Sequence, residues 1–395
     1  MSPQQTLLTW KSKPMAHVNT IVAQFLKLVS KSEFDRLART HHTGQKFRKF
    51  SRFDQFVLLL TLQVTGRSSI RDVIENFKVQ RNKLFHIGMR IISRSSFSRV
   101  NQEQPWQLYQ DLFYQIFKRC SPIAGKHSFK FHNKLYSMDA STIDLCLSVF
   151  PWAKFRTTKG AVKLHTVLDH DGLIPTFVDI TDGKTHDVNI GRLVRLPKSS
   201  ILTMDRGYID YQWFNDLNEQ GIYFVTRAKR NMQYRVVKRL KYNRAMGITS
   251  DHLIELTSQK GSVYQGKLRR VGYKDPDTGK QYYYLTNHTG LAAKTIADIY
   301  KERWQIELFF KWIKQNLKIK SFIGTSKNAV LTQIWVALCT YLLIHYFKWK
   351  NSLTQAASRI VQILQLNWFE RRNLIDLFDL PIPEEADEKN MSFEF

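Results

Sequence analysis

The sequence predicts a mixed α/β protein, in which a sheet of antiparallel and parallel strands carries helices and follows a basic helical segment. Two observations predict the sheet. Three strand-like runs follow one another with short turns between them, and short apolar runs then alternate with helical segments. The chain has 395 residues, of which 43% are hydrophobic, and this is enough for two or three domains with a real core.

The charge of the chain indicates a polyanionic partner. It carries 60 Lys and Arg against 33 Asp and Glu, a net charge of +27 at pH 7. Nucleic acid is the usual partner of so basic a protein. An anionic membrane surface is the weaker alternative, because no short amphipathic basic helix stands apart from the rest of the sequence. We therefore expect a protein that binds DNA and no membrane.

Cysteine usage favours a reducing, cytoplasmic location. The chain has three cysteines: Cys120, Cys146 and Cys339. They form neither a metal-ligand spacing nor a disulfide framework. The first residues, Met1 to Gln5, lack the pattern of a signal peptide. The apolar run from Leu331 to Phe347 is shorter than a typical membrane span and contains Gln333 and His345, so we expect a buried core helix.

The first predicted domain, residues 1–105, is helical and basic, with 18 Lys and Arg against 5 Asp and Glu in its first 100 residues. Apolar periodicity over Phe53–Val64, a turn at 65–69 and the capping residue Ser69 before Ile70–Phe77 resemble a helix-turn-helix. An ordinary helical hairpin with a solvated basic face would give the same pattern. The excess positive charge still favours contact with DNA.

A connector, residues 106–130, joins this domain to the sheet, and Trp106–Arg119 has the pattern of an amphipathic helix. The elements predicted next, in chain order, are the strands Lys134–Asp139, Gly160–Asp169 and Ile174–Ile180, a helix from His186, the strand Ile201–Asp205, the helix Asp210–Gln220 and the strand Ile222–Thr226. Three antiparallel strands followed by alternating helix and parallel strand is the ribonuclease-H-like order.

A β-rich insertion, residues 230–290, divides this predicted core into 131–229 and 291–348. Its predicted strands are Tyr234–Val237, Leu253–Leu256, Lys267–Tyr273 and Gln281–Thr286. Helices are predicted over 293–319, 327–348 and 352–363. The last segment, 349–395, is expected to hold a C-terminal helix and an acidic tail from Pro381.

Three carboxylates in separate elements are the candidate metal ligands. Asp139 and Asp205 each end an apolar run, and the ends of strands in an open sheet line a crevice. Glu307 lies on a predicted helix downstream. Carboxylate oxygens suit Mg²⁺, and two such ions can activate a water or a 3′-OH to attack a phosphodiester. Other acids are poorer candidates, because they lie in turns, at a helix start or away from this site: Asp169, Asp171, Asp182, Asp187 and Glu302.

Cations flank the predicted acid on its helix. At about 100° per residue, Arg303, Glu307 and Lys314 fall on one stripe roughly 40° wide, with Tyr300 beside it. This pattern suits a site that cuts phosphodiesters, since the acid would hold a metal ion and the cations would hold DNA phosphates.

These residues resemble a known family, the insertion-sequence DDE transposases of the group marked by Y-x2-R-x3-E-x6-K. The resemblance runs from the basic N-terminal helices to about residue 348. Its most specific segments are Met138–Thr142, Asp205–Tyr208 and Tyr300–Glu307 with Lys314. The family implies a ribonuclease-H-like core, the triad Asp139, Asp205 and Glu307 as metal ligands, and cut-and-paste transposition, often through a DNA hairpin.

The resemblance also implies roles for the neighbouring residues. Tyr300, Arg303 and Lys314 would bind DNA phosphates, and Arg206 and Tyr208 would also contact DNA. Trp304 would stack on an extruded base, although a plain packing role explains it equally well. The expected cofactor is Mg²⁺, with Mn²⁺ able to substitute. The expected partners are double-stranded DNA with terminal inverted repeats, target DNA, and a second copy of the chain on paired ends, in the nucleoid of a bacterial-type cytoplasm.

Two alternatives stay open at this point. One is a catalytically inactive, basic DNA-binding protein, and the other is a nuclease that cuts without joining strands. The complete triad and its flanking cations favour the enzyme, because a decayed copy would usually have lost a carboxylate.

Overall fold

The computed structural model describes residues 19–378, apart from 45–49, 90–91, 155–156 and 158. The predicted acidic tail and the first residues of the chain lie outside the described residues. The helices in this part are α1 Ile21–Leu26, α2 Lys31–Thr40, α3 Arg52–Thr65, α4 Ile70–Val79, α5 Arg81–Leu84, α6 Arg94–Glu103, α7 Gln107–Cys120, α8 Asp187–Gly191, α9 Tyr211–Glu219, α10 Ala293–Glu302, α11 Trp304–Asn316, α12 Lys327–Lys350 and α13 Ala357–Asn367. The strands are β1 Leu135–Leu145, β2 Gly160–Asp169, β3 Ile174–Asp182, β4 Ile201–Met204, β5 Tyr223–Arg227, β6 Tyr234–Arg239, β7 Ile248–Leu256, β8 Leu268–Lys274 and β9 Gln281–Thr286.

Side-chain caps begin the N-terminal helices α3 and α4, and the cap of α4 was predicted from the sequence. Ser51 and Asp54 form a capping box at the start of α3, and α3 ends at Gly66 in the left-handed conformation. Ser69 accepts a hydrogen bond from the amide of Asp72 and so begins α4. The predicted helix–turn–helix order over these residues is confirmed, and its contact with DNA stays a prediction.

Helix α12 is a core helix, as predicted. By length and apolar composition it could cross a membrane, but 89% of its apolar window is buried inside the protein. Helices α3, α6 and α7 pack against it. The buried side chains of the N-terminal helices, of β2 and β3 and of α11 to α13 form a single hydrophobic cluster with it. The N-terminal helices therefore share their core with the C-terminal ones.

The described strands form one sheet of nine in the order β3-β2-β1-β4-β5-β9-β8-β7-β6. β1 pairs antiparallel with β2 and parallel with β4, and β4 pairs parallel with β5. The first five strands thus have the predicted ribonuclease-H-like order. The remaining strands are those of the predicted insertion. They extend the same sheet, because β9 pairs antiparallel with β5 through Val225 and Thr286.

Several predicted boundaries are wrong: the strand predicted at Leu253–Leu256 is β7 Ile248–Leu256, and the helix predicted over 352–363 is α13 Ala357–Asn367. Two others concern the candidate acids. β1 does not end at Asp139 but continues to Leu145, because its antiparallel pairing with β2 runs on to Leu145 and Gly160. The helix predicted over 293–319 is broken into α10 and α11 at Arg303. Helix α11 begins with Trp304, and α10 ends one residue before Arg303.

Candidate active site

Asp139 and Asp205 lie at the same level of the sheet. The parallel pairing of β1 with β4 ends at Met138 and Met204, so the two aspartates are the next residues on neighbouring strands. Asp139 is therefore in mid-strand, yet it stands where its parallel neighbour stops. This is the kind of crevice that the sequence predicted for both residues.

Arg303 binds the carboxylates of both Glu307 and Asp139. Its Nη2 donates to Glu307 Oε1 at 2.5 Å, and its Nη1 lies 3.3 Å from Asp139 Oδ2. The break between α10 and α11 falls at Arg303, and Glu307 lies in the first turn of α11. Although burial opposes the charge of Arg303, its bond to Glu307 and the nearby charges hold the pKa of the guanidinium above its ordinary value.

The electrostatics of Asp139 reflect all three acids. The pKa of its carboxyl is raised from 3.8 to about 6, mainly by burial, with the Ala140 amide and Arg303 lowering it and the charges of Glu307 and Asp205 raising it. The charges of three acids thus act on one another here, and Arg303 is the counter-charge of two of them. An excess of carboxylate oxygen at one place fits a hard divalent cation.

Arg303 lies between two of these acids. Among the described residues, no three His, Cys, Asp or Glu side chains are arranged to hold one ion as they stand. Asp139 and Glu307 both bind the guanidinium of Arg303. The carboxylate oxygens therefore have the chemistry that a divalent ion requires, and the guanidinium of Arg303 lies between two of these carboxylates.

Lys314 is anchored beside the same strand. Its Nζ donates to Ser141 Oγ at 2.6 Å and to the carbonyl of Thr142 at 3.0 Å. Ser141 has the same facing as Asp139, since side chains two apart in a strand point to one side. Burial lowers the pKa of Lys314 and Lys320 lowers it further. Ser141 was not identified as a site residue from the sequence, although the alternation of side chains along a strand places it on the same side as Asp139.

Tyr300 lies next to Arg303 and packs on an aromatic residue of β9. The guanidinium carbon of Arg303 lies 5.8 Å from the centre of the Tyr300 ring, and that ring lies 4.9 Å from the ring of Tyr284. Burial raises the pKa of the Tyr300 hydroxyl, and the charge of Asp205 adds to this. Tyr300 and Asp205 are therefore near enough to interact.

The other predicted DNA contacts have different surroundings. Arg206 is exposed, and it lines a cavity of about 390 Å³ with Asp205. Trp304 is 57% exposed, so its ring is available to a partner. Tyr208 is only 2% exposed. Burial raises the pKa of its hydroxyl, with further contributions from Asp187 and the site carboxylates. Tyr208 lies behind the site rather than on a DNA-facing surface, because its ring packs in the core.

The acids that the sequence analysis set aside have local partners. Lys134 binds both Asp169 and Asp171, and Lys163 binds Asp187. Asp182 accepts from Thr185 and Glu302 accepts from Gln305. His165 of β2 is buried, with Nε2 2.9 Å from Thr181 Oγ1.

Comparisons with known proteins found matching family models and similar chains. A family model described as a transposase DDE domain matches residues 131–343, and one described as a domain of unknown function matches residues 17–90. A protein of Sinorhizobium fredii that is named as a transposase is 37% identical over 227 residues, which are 56% of this chain and 64% of that protein. The chain thus spans slightly less than two thirds of this relative.

Two further likenesses extend over more of the chain. A probable transposase for an insertion sequence element of Geobacillus stearothermophilus is 29% identical over 262 residues, 66% of this chain and 68% of that protein. Among solved structures, the piggyBac transposase synaptic complex with hairpin DNA is 13% identical, with a TM-score of 0.46 over 96% of this chain and 90% of that one.

Proposed function

The chain belongs to the transposase DDE-domain family, and on that premise we propose that it cuts and joins DNA as the transposase of an insertion sequence. The observation that supports the proposal is that Arg303 links Glu307 to Asp139, while Asp205 follows the end of the strand beside Asp139. These residues come from three separate parts of the chain, and a purely structural protein gains nothing from gathering like charges.

Asp139, Asp205 and Glu307 would hold divalent ions, with Mg²⁺ the natural ion and Mn²⁺ able to replace it. When bound, such ions would activate the attacking oxygen and stabilise the leaving one. The chain's own residues prepare this site. Asp139 is half-buried, and the amide of Ala140 donates to its Oδ1 at 2.8 Å, which fixes the direction of that carboxylate.

The cations around the acids would hold the DNA backbone. Arg303 and Lys314 project to the same face of the site and would bind the phosphates on either side of the cut. Tyr300 shapes the position of Arg303 through its ring. Arg206, exposed beside Asp205, would reach a phosphate of the opposite strand.

We propose that strand cleavage passes through a DNA hairpin at the transposon end. Closing a hairpin bends the terminal base pairs sharply and favours the expulsion of a base. Trp304 has an exposed ring one residue from Arg303 and three from Glu307, where it can stack on that base. This proposal places Trp304 among the DNA-binding residues rather than the packing ones.

End recognition belongs, in this proposal, to the basic N-terminal helices of residues 1–105, and the insertion and the core bind the DNA that they deliver. Two transposon ends with inverted repeats would bring two copies of the chain together, so a dimer on DNA is expected. The substrates, terminal repeats and target DNA, place the protein on the nucleoid in the cytoplasm.

The test is incubation of the protein with a labelled duplex carrying a candidate transposon end and Mg²⁺, followed by separation of nicked, hairpin and joined products. The proposal predicts all three products in time order. Nicks without joined products would identify the nuclease alternative. Binding without any cleavage, with either Mg²⁺ or Mn²⁺, would identify the inactive DNA-binding alternative.

A further inference from the structure

The four strands of the insertion present two different faces. On one face, Val271 and Tyr284 pack with Ile296 of α10 in a hydrophobic cluster. On the other face, Ile254, Leu268 and Leu285 pack in a second cluster. Val236 and Leu256 also lie on this face, and its other side chains include polar ones from all four strands.

Positive charge lines this part of the second face. Arg239 stands opposite His252, and His252 stands opposite Arg270, so the three side chains share one side of the sheet. On the same side, Gly272 stands opposite Tyr283, and Lys274 follows two residues along β8. We call these residues the basic face: Arg239, His252, Arg270, Lys274 and Tyr283.

Aromatic rings hold the central cation in place. The guanidinium of Arg270 lies 3.7 Å from the centre of the Tyr283 ring and 5.0 Å from that of Tyr234. Tyr283 is itself 39% exposed. Stacking on two rings limits the rotamers of Arg270 and leaves its remaining donors for a ligand.

No carboxylate of these strands neutralises the basic face. The acids of β6 to β9 are Asp251 and Glu255, and each lies on the opposite side of the sheet, bound to Arg269 or Arg235. In the part of the chain that the structure describes, Arg239, Arg270 and Lys274 form no ion pair. A row of unpaired cations on a surface favours a polyanion.

The basic face continues to the site. The amide of Ala228 donates to the carbonyl of Tyr283 at 2.8 Å, so the chain leaves the basic face directly into residues 229–231. Lys229 and Arg230 line the cavity that contains Asp205. Positive charge therefore lies beside the site carboxylate, at Lys229 and Arg230, and on the neighbouring strands of the insertion.

We propose that the basic face binds the sugar-phosphate backbone of the duplex DNA that leads away from the cut. This rests on the proposed function for the choice of DNA as the polyanion. From β9 to β6 the face crosses three strand spacings, about 14 Å, which match about four steps of one DNA strand. Contacts of this kind position the duplex and are independent of its sequence.

The experiment measures the salt dependence of duplex binding, in EDTA, for the wild-type chain and for Arg239→Ala/Arg270→Ala. Each phosphate contact that is lost should reduce the log–log slope by about 0.9, so the double variant should lose about 1.8. The matched control is Arg235→Ala/Lys238→Ala, which removes the same charge from the same region of the sheet but from the opposite face. Its slope should change much less.

A second variant tests the proposal even if the double variant fails to fold. Arg239→Ala alone removes an exposed side chain that no ring holds, and it should reduce the slope by about 0.9. Equal slopes for this variant and the wild type would overturn the proposal. A changed sedimentation coefficient of the free protein, with unchanged DNA binding, would also overturn it and assign the face to contact between copies. Cleavage of end DNA with Mg²⁺, measured separately on the wild type, tests the proposed function and not this face.

Discussion

Arg303 Nη1 lies 3.3 Å from Asp139 Oδ2, although the two residues are 164 positions apart in the chain. The same guanidinium binds Glu307 four residues later. Arg303 thus stands between two of the acids that are proposed to hold metal ions. Its charge offsets part of their repulsion in the absence of a metal, and it would be released towards DNA phosphate when a metal takes over that role.

The first prediction concerns the exchange of Arg303 for a metal ion as the counter-charge of Asp139 and Glu307. Arg303→Ala leaves Asp139 and Glu307 facing each other without a counter-charge, so it should lower the free energy of unfolding in EDTA by roughly 1–3 kcal/mol. Added Mn²⁺ or Mg²⁺ should then raise the melting temperature of the variant more than that of the wild type. Arg206→Ala, which removes an exposed cation nearby, is the control. An equal metal-induced shift in wild type and Arg303→Ala would show that Arg303 does not act as the counter-charge.

The second prediction concerns Trp304 and the hairpin. Trp304→Ala should leave first-strand nicking nearly normal and slow hairpin formation or resolution by about tenfold, which corresponds to about 1.4 kcal/mol of lost stacking in that step. The exposed ring makes little contribution to the core, so the thermal transition should not move. The measurement is single-turnover cleavage of a labelled end duplex. Unchanged hairpin kinetics would mean that the ring only packs against α11.

The third prediction concerns end recognition by the N-terminal helices. Arg71 and Arg94 are exposed and line one cavity between α4 and α6. Arg71→Ala/Arg94→Ala should weaken binding to end DNA and reduce its salt slope by about 1.8. Lys184→Ala/Lys198→Ala removes two exposed cations outside this domain and should have less effect. If both double variants bind end DNA alike, recognition lies elsewhere.

Removal of the whole N-terminal region is a poor test of the same point. The side chains Phe25, Phe56 and Phe113 are buried in the same cluster as Trp335 of α12. A fragment without the first helices would expose that cluster and unfold for reasons unrelated to DNA. Point substitutions of exposed cations avoid this difficulty.

Much of the fold followed from local sequence signals. Ser69 caps a helix where its position predicted, because a cap depends on a few consecutive residues, and Ser51 and Ser93 cap helices in the same way. The order of the first five strands followed from apolar periodicity and turns. The membership of β6 to β9 in the same sheet could not be predicted, since it depends on the pairing of β9 with β5 across about sixty residues of chain.

The site was predictable in its residues and less so in its geometry. Helical periodicity placed Arg303 and Glu307 on one stripe, and they do bind each other. The same reasoning could not detect the helix break at Arg303, which arises where α10 follows the sheet and α11 turns to pack on β1. It also could not detect the burial of Tyr208, because burial depends on packing between distant elements.

The fourth prediction concerns the pH dependence of stability. His170 is buried with Nε2 2.6 Å from Ser137 Oγ, and burial lowers its pKa from 6.5 to about 4, with a further contribution from His127. A lowered histidine pKa means that the folded state holds the neutral ring, so stability falls as the pH drops from 6.5 towards 4. The loss attributable to His170 should reach about 3 kcal/mol.

The measurement is urea unfolding of the wild type and of His170→Gln at pH 7 and pH 5. The variant keeps a neutral hydrogen-bonding group at this position and cannot be protonated, so its stability should fall less between the two pH values. Equal falls would show that other groups account for the acid sensitivity.

The most direct test of the account is cleavage of a labelled end duplex in Mg²⁺ by the single variants Asp139→Ala, Asp205→Ala and Glu307→Ala. Metal ligands act in the chemical step, whereas affinity comes mainly from the basic surface. Each variant should therefore lose cleavage almost completely and retain binding to the duplex. Glu302→Ala, which removes a carboxylate five residues from Glu307, should cleave normally. Cleavage at near wild-type rate by any of the three variants would contradict the assignment of the triad.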